Sequence, residues 1–121
     1  MSKKIIVAED SSVIQNLIKK ILLELDCDTI GVKNGADLIK KLSMESFDLV
    51  LLDINIPKKN GIECIKEIRT KFDLNELPVL AVTGNADNLT EDEFKALGFN
   101  DLILKPINFD SLVADVSKWL K

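Results

Sequence analysis

Glu9 with Asp10, Asp53, Thr83 and Lys105 each stand at the end of a short apolar run: IIVA (5–8), LVLLD (49–53), PVLAVT (78–83) and DLILK (101–105). A carboxylate that closes a run apolar enough to be wholly buried is expensive to desolvate, so Asp53 is either an exposed strand end or a group placed for chemistry. Brought together, three carboxylates against one ammonium leave a formal surplus of two negative charges. Such crowding raises a carboxylate pKa or recruits a cation. One divalent ion balances the surplus, and Mg2+ (or Mn2+) suits a few carboxylate and carbonyl oxygens with retained waters. A phosphoryl dianion could then approach. Asp53 would be the nucleophile, forming an aspartyl phosphate. Asp10 would be a direct metal ligand, with Glu9 acting through a water on the metal. Lys105 and the Thr83 hydroxyl would hold phosphoryl oxygens, since phosphoryl transfer mainly requires positioning and charge stabilisation.

The elements that must position these groups follow from the hydrophobic pattern. The four runs above and DTIGV (28–32) read as strands, and every run except DTIGV is apolar enough to be covered on both faces. Helical stripes lie between them. Ile14, Leu17, Ile18, Ile21 and Leu25 mark a first helix opened by Ser11 or Ser12. Residues 36–42 and 62–72 predict a second and a third helix, and Phe109, Leu112, Val113, Val116 and Leu120 a last one. The fourth has a capping box, Thr90 and Glu93, staple positions Leu89 and Phe94, and a closing Gly98. This alternation is (βα)5, which implies an α/β doubly wound, five-stranded parallel sheet with helices on both faces. Ligands in such sheets bind beyond the carboxyl ends of the strands. Placing the more polar second strand at an edge gives the order 2-1-3-4-5 and brings the reactive strand ends to one rim.

Composition narrows the classes. A chain of 121 residues, 46% hydrophobic and 30% charged, is expected to be one soluble domain over residues 1–121 with no output module. A helix finishing at Lys121 agrees with that expectation. No apolar run spans a membrane, and the four-residue run after Lys3 and Lys4 is too short for a signal peptide, so the cytoplasm is the default. A net charge of −4 argues against direct binding to nucleic acid or an anionic membrane. The chain has no histidine, so the protein itself can supply no imidazole base, ligand or phosphohistidine. Cys27 and Cys64 have no metal or redox spacing and read as small buried hydrophobes.

Glu9-Asp10, Asp53-x-x-x-Pro57-x-x-x-Gly61, Thr83-Gly84 and Lys105-Pro106, in this order on fitting elements, resemble the receiver domain of bacterial response regulators, with its flavodoxin-like (CheY-like) fold. The order 2-1-3-4-5 is shared with the chemotaxis member of that family. The resemblance covers essentially the whole chain. It implies a phosphoacceptor of a two-component system or phosphorelay, not an enzyme proper, though assisting its own phosphorylation and dephosphorylation. Asp53 would accept phosphoryl from a phosphohistidine on a histidine kinase or histidine phosphotransfer protein, and the Asn55 backbone carbonyl would complete the metal site. It also implies a cis bond before Pro106 and a structural role near the site for Pro57, Gly61 and Gly84. Asn55 and Asn85 would tune hydrolysis. Thr83 would act as a switch with the residue three positions before the lysine, an aromatic in most receivers and Leu102 here. The readout would be a downstream protein bound at the face of helix four, strand five and helix five, by a monomer or weak dimer.

Competing classes are a phosphatase with an aspartyl nucleophile, a flavin or nucleotide carrier, and a pseudo-receiver used only for contacts. The first expects a second carboxylate where Asn55 stands. The second expects a glycine- or hydroxyl-rich cradle after strand one, where Glu9 and Asp10 stand. The third leaves the complete acceptor, metal and phosphate set without a purpose.

Overall fold

The computed structural model describes residues 3–71, 76–84 and 90–120. Five strands, β1 (Lys4–Ala8), β2 (Asp28–Val32), β3 (Leu49–Asp53), β4 (Val79–Thr83) and β5 (Asp101–Leu104), alternate with five helices, α1 (Ser12–Leu23), α2 (Gly35–Met44), α3 (Gly61–Arg69), α4 (Glu91–Leu97) and α5 (Phe109–Trp119). All strand pairs are parallel, in the order β2-β1-β3-β4-β5.

Alternation along the strands divides the core in two. Ile6, Ala8, Val50, Leu52, Val79 and Ala81 face α2, α3 and α4 and pack with Leu38, Ile65, Ile68 and Phe94. Ile5, Val7, Leu49, Leu51, Leu80 and Val82 face α1 and α5 and pack with Ile18, Leu22, Leu112 and Val116. Burial on both faces is why β1, β3 and β4 are near-continuous apolar runs. β5 departs from the expectation that it shares this coverage. Among the described residues it is an edge strand paired only with β4, and its Leu104 is 55% exposed.

Helix ends follow local chemistry. The Ser11 hydroxyl accepts from Ile14 N and opens α1. Asn60 with Glu63 and Thr90 with Glu93 form reciprocal capping boxes, and Gly98 ends α4 with φ of 117°, a left-handed conformation suited to glycine. Two expected stripe residues lie outside the core: Leu17 is 43% exposed and Phe109 50%. Leu17 lies one residue step, about 100° around the helix, from the buried Ile18. Phe109 is the first residue of α5, one turn ahead of Leu112. Helix α2 extends past the expected 36–42 to Gly35–Met44. The described part of α3 ends at Arg69; Phe72, Leu89 and Asn85 fall outside the described residues. Cys27 and Cys64 are buried free thiols, and burial pushes the Cys64 thiol up to about 11. No helix among the described residues is long and apolar enough to cross a membrane.

Candidate functional site

Strand register assembles the rim. Ala8 pairs with Leu52, so Glu9 comes level with Asp53 one residue on. Asp53 pairs with Val82, which puts Thr83 one step beyond. Thr83 pairs with Leu104, and Lys105 N donates to Thr83 O at 2.8 Å to begin the next turn. A polar residue therefore emerges from each of the neighbouring strands β1, β3, β4 and β5 at the carboxyl end of the sheet.

Asp53 is 3% exposed, and both of its carboxylate oxygens are engaged. Asn55 N donates to Oδ1 at 3.0 Å and Lys105 Nζ to Oδ2 at 3.0 Å. The same ammonium lies 3.2 Å from Glu9 Oε1. Glu9 is 1% exposed; Ser11 N donates to its Oε2 at 3.1 Å, while buried Oε1 has the Lys105 ion pair and no hydrogen bond among the described residues. Burial, with the charge of Asp53, pushes the Glu9 carboxyl up to about 7, against the opposing pull of the Ser11 N–H and Lys105. Burial is also the largest single influence on Lys105 and lowers its pKa. The bond to Asp53 and the charges of Asp53 and Glu9 outweigh it, so the ammonium is held above its ordinary value.

The carboxylate oxygens of Glu9, Asp10 and Asp53 come within 4.8 Å of one another, with Asp10 exposed. This donor set fits a hard divalent cation. It is all oxygen, it carries surplus negative charge, and it includes a buried oxygen that has an ion pair but no hydrogen bond among the described residues.

Thr83 is 2% exposed, and its hydroxyl donates to Gly84 O at 3.0 Å. Among the described residues, a Cβ on Gly84 would meet nothing within 4 Å. Gly61 is different. A Cβ there would lie 2.8 Å from Ile54 Cα and 3.0 Å from Asp53 O, so a glycine lets α3 begin against the end of β3. Pro57 is exposed, and its carbonyl accepts from Gly35 N at 3.2 Å, tying the loop after β3 to the start of α2. The Lys105–Pro106 peptide bond is cis. Leu102 is half-buried and packs against the cluster containing Phe94 and Phe99. Asn55 is exposed, and Asn85 lies outside the described residues.

Sequence reasoning missed Gln15. Its amide, 7% exposed, reaches back to the end of β1. A partial signal was present: Gln15 is spaced with Ile18 and Leu22 on the buried stripe of α1, and β2 carries a glycine, Gly31, next to its last residue.

Comparisons with known proteins converge on one family. The transcriptional regulatory protein CrdR of Helicobacter pylori is 34% identical over 119 residues, spanning 98% of this chain and 55% of that protein. The autoinducer 2 sensor kinase/phosphatase LuxQ of Vibrio vulnificus is 33% identical over 109 residues, 90% of this chain and 13% of that protein. The chain thus spans between about an eighth and about half of the length of these relatives. Among solved structures, the receiver domain of the sensor histidine kinase PA1611 from Pseudomonas aeruginosa superposes with a TM-score of 0.88 at 25% identity, covering 99% of this chain and 98% of that one. That structure holds a magnesium ion coordinated in its active site cleft. The model of the response regulator receiver domain matches residues 5–117, and the chain belongs to that family, the receiver domains of two-component signalling.

Proposed function

We propose that Asp53 is the phosphoacceptor and that Glu9, Asp10, Asp53 and the Asn55 backbone carbonyl hold Mg2+ or Mn2+. The observation that carries this reading is the buried Asp53 carboxylate, bonded to Lys105 and clustered with two further acids within 4.8 Å. When bound, the divalent ion supplies charge neutralisation, so that a phosphoryl dianion can approach an acidic rim.

In the reaction one Asp53 carboxylate oxygen attacks phosphorus. The P–N bond of a donor phosphohistidine breaks, the imidazole nitrogen leaves with the electron pair, and a P–O bond forms on Asp53. A partner must supply that imidazole, because this chain has no histidine. Lys105, placed 3.0 Å from Asp53 Oδ2, shifts its donation to the incoming phosphoryl oxygens. The Thr83 hydroxyl exchanges its bond to Gly84 O for a phosphoryl oxygen, and Leu102 repacks beside it. Asn55, exposed two residues after the acceptor, and Asn85 orient the water that later hydrolyses the acyl phosphate.

The donor is a histidine kinase or histidine phosphotransfer protein, in keeping with relatives that are sensor kinases and regulators. The readout is a downstream protein docking on α4, β5 and α5, where exposed Leu104 borders a groove of about 240 Å³ lined by Leu102, Asn108, Ser111 and Asp115. The domain acts in the cytoplasm as a monomer or weak dimer. Its net charge of −4 supports a protein partner over nucleic acid or an anionic membrane.

Phosphoramidate, a small P–N donor, tests this directly by phosphorus NMR. An acyl-phosphate resonance that appears with Mg2+ and is missing with EDTA or in Asp53→Asn supports the proposal. The same resonance in Asp53→Asn overturns it.

A further inference from the structure

We infer that Gln15 is a positioning residue for the cation half of this site: its buried amide locks the backbone of Glu9 to the end of β2. This rests on the Mg2+ reading above and deepens it. Gln15 Nε2 donates to Glu9 O at 3.2 Å and to Val32 O at 3.0 Å. Val32 O also accepts from Glu9 N at 3.0 Å. One carbonyl of β2 therefore gathers both the residue that carries the carboxylate and the amide that steadies it.

The Gln15 main chain is tied to the same loop. Its backbone N–H donates to Ser11 O at 2.9 Å, and Ser11 N donates to the Glu9 carboxylate at 3.1 Å, so the path from Glu9 through Ser11 to Gln15 and back is closed by hydrogen bonds. Below it lies Gly31. A Cβ there would come within 2.3 Å of Gln15 Oε1 and 2.8 Å of Nε2, so the glycine in β2 is the seat of the amide. This gives β2 a part in the site, although it contributes no reactive side chain. Without Gln15, Glu9 O loses its amide donor at a point where the chain must turn from β1 to present two acids side by side. Groups of this kind, one layer behind the ligands, change metal affinity by about 10- to 100-fold when removed.

The test is Mg2+ titration by calorimetry on wild type, Gln15→Met, Gly31→Ala and Arg69→Met, with urea midpoints measured alongside. Gln15→Met keeps the volume and removes the donor; Gly31→Ala keeps the donor and unseats it. Arg69→Met removes donors to Gly98 O and Leu77 O at the opposite end of the sheet, and so controls for general loosening. The expected result is Mg2+ affinity at least tenfold weaker in Gln15→Met and in Gly31→Ala, and unchanged in Arg69→Met. Wild-type affinity in Gln15→Met overturns the inference and leaves the metal site standing. Equal weakening in Arg69→Met also overturns it, because the effect would then be loss of rigidity at large. Absence of Mg2+ binding in wild type overturns both the inference and the metal reading.

Discussion

Glu9→Gln should make the metal-free protein more stable at pH 8 and remove most of its pH dependence. Glu9 is 1% exposed with one oxygen lacking a hydrogen bond among the described residues, and its carboxyl is pushed from 4.5 up to about 7, chiefly by burial. The folded state thus binds this proton more tightly than the unfolded chain does. Its contribution is fully present below about 4.5 and is lost as pH rises through about 7. One proton over the interval from about pH 5.5 to about pH 8 corresponds to about 2 kcal/mol. With a urea slope of about 1–3 kcal/mol per M, the wild-type midpoint in EDTA should fall by about 1 M across that interval. The chain has no histidine to mask the effect. Mg2+ at about 100 times its Kd should restore about 2.7 kcal/mol to wild type at pH 8 and much less to Glu9→Gln. The assay is urea unfolding followed by circular dichroism at the two pH values, in EDTA and in Mg2+. If Glu9→Gln shows the same fall in EDTA as wild type, the buried charge is not the origin of the pH dependence and the reasoning fails.

Lys105→Met removes the ammonium that bonds Asp53 and pairs with Glu9, and should slow phosphorylation by small donors about 100-fold, read from single-turnover time courses. The same variant should still bind Mg2+, and more tightly than wild type, because a competing cation is gone. Arg69→Met strips donors from Gly98 O, Leu77 O and Asn100 Oδ1 and should cost about 3 kcal/mol in urea unfolding. Gly61→Ala forces a methyl to 2.8 Å from Ile54 Cα and should destabilise by about 1–3 kcal/mol while also slowing phosphorylation, since the displaced backbone carries Asp53.

Strand runs, helix stripes and capping boxes made the architecture legible in the sequence because each element buries one face or two and ends on specific chemistry. Asp53 stood out for the same reason: a carboxylate is the least expected end to LVLLD. The meeting of strand ends at one rim follows from parallel topology, which the βαβ alternation implies. Other features needed coordinates. Leu17 and Phe109 match a helical period, yet a period does not say where the sheet ends, and both lie at the margin of what it covers. The order 2-1-3-4-5 already puts β5 at an edge, yet its apolar run does not say which residue the helices leave uncovered, and Leu104 proves to be the exposed one. Gln15 on the buried stripe of α1 and the glycine in β2 hint at a close approach, but not at its partner, a main-chain carbonyl 6 residues away, and that contact needed the structure.

On the proposed function, Asp53 becomes phosphorylated in a reaction that needs a divalent cation. Intact mass after incubation with a small acyl phosphate, with and without Mg2+, followed by borohydride reduction and peptide mapping, tests it most directly. The expected result is a single phosphoryl adduct formed only with Mg2+, absent in Asp53→Asn, and mapped by reduction to position 53. An adduct on another residue, or a wild type that stays unmodified while a control receiver is labelled, would rule out Asp53 as the phosphoacceptor.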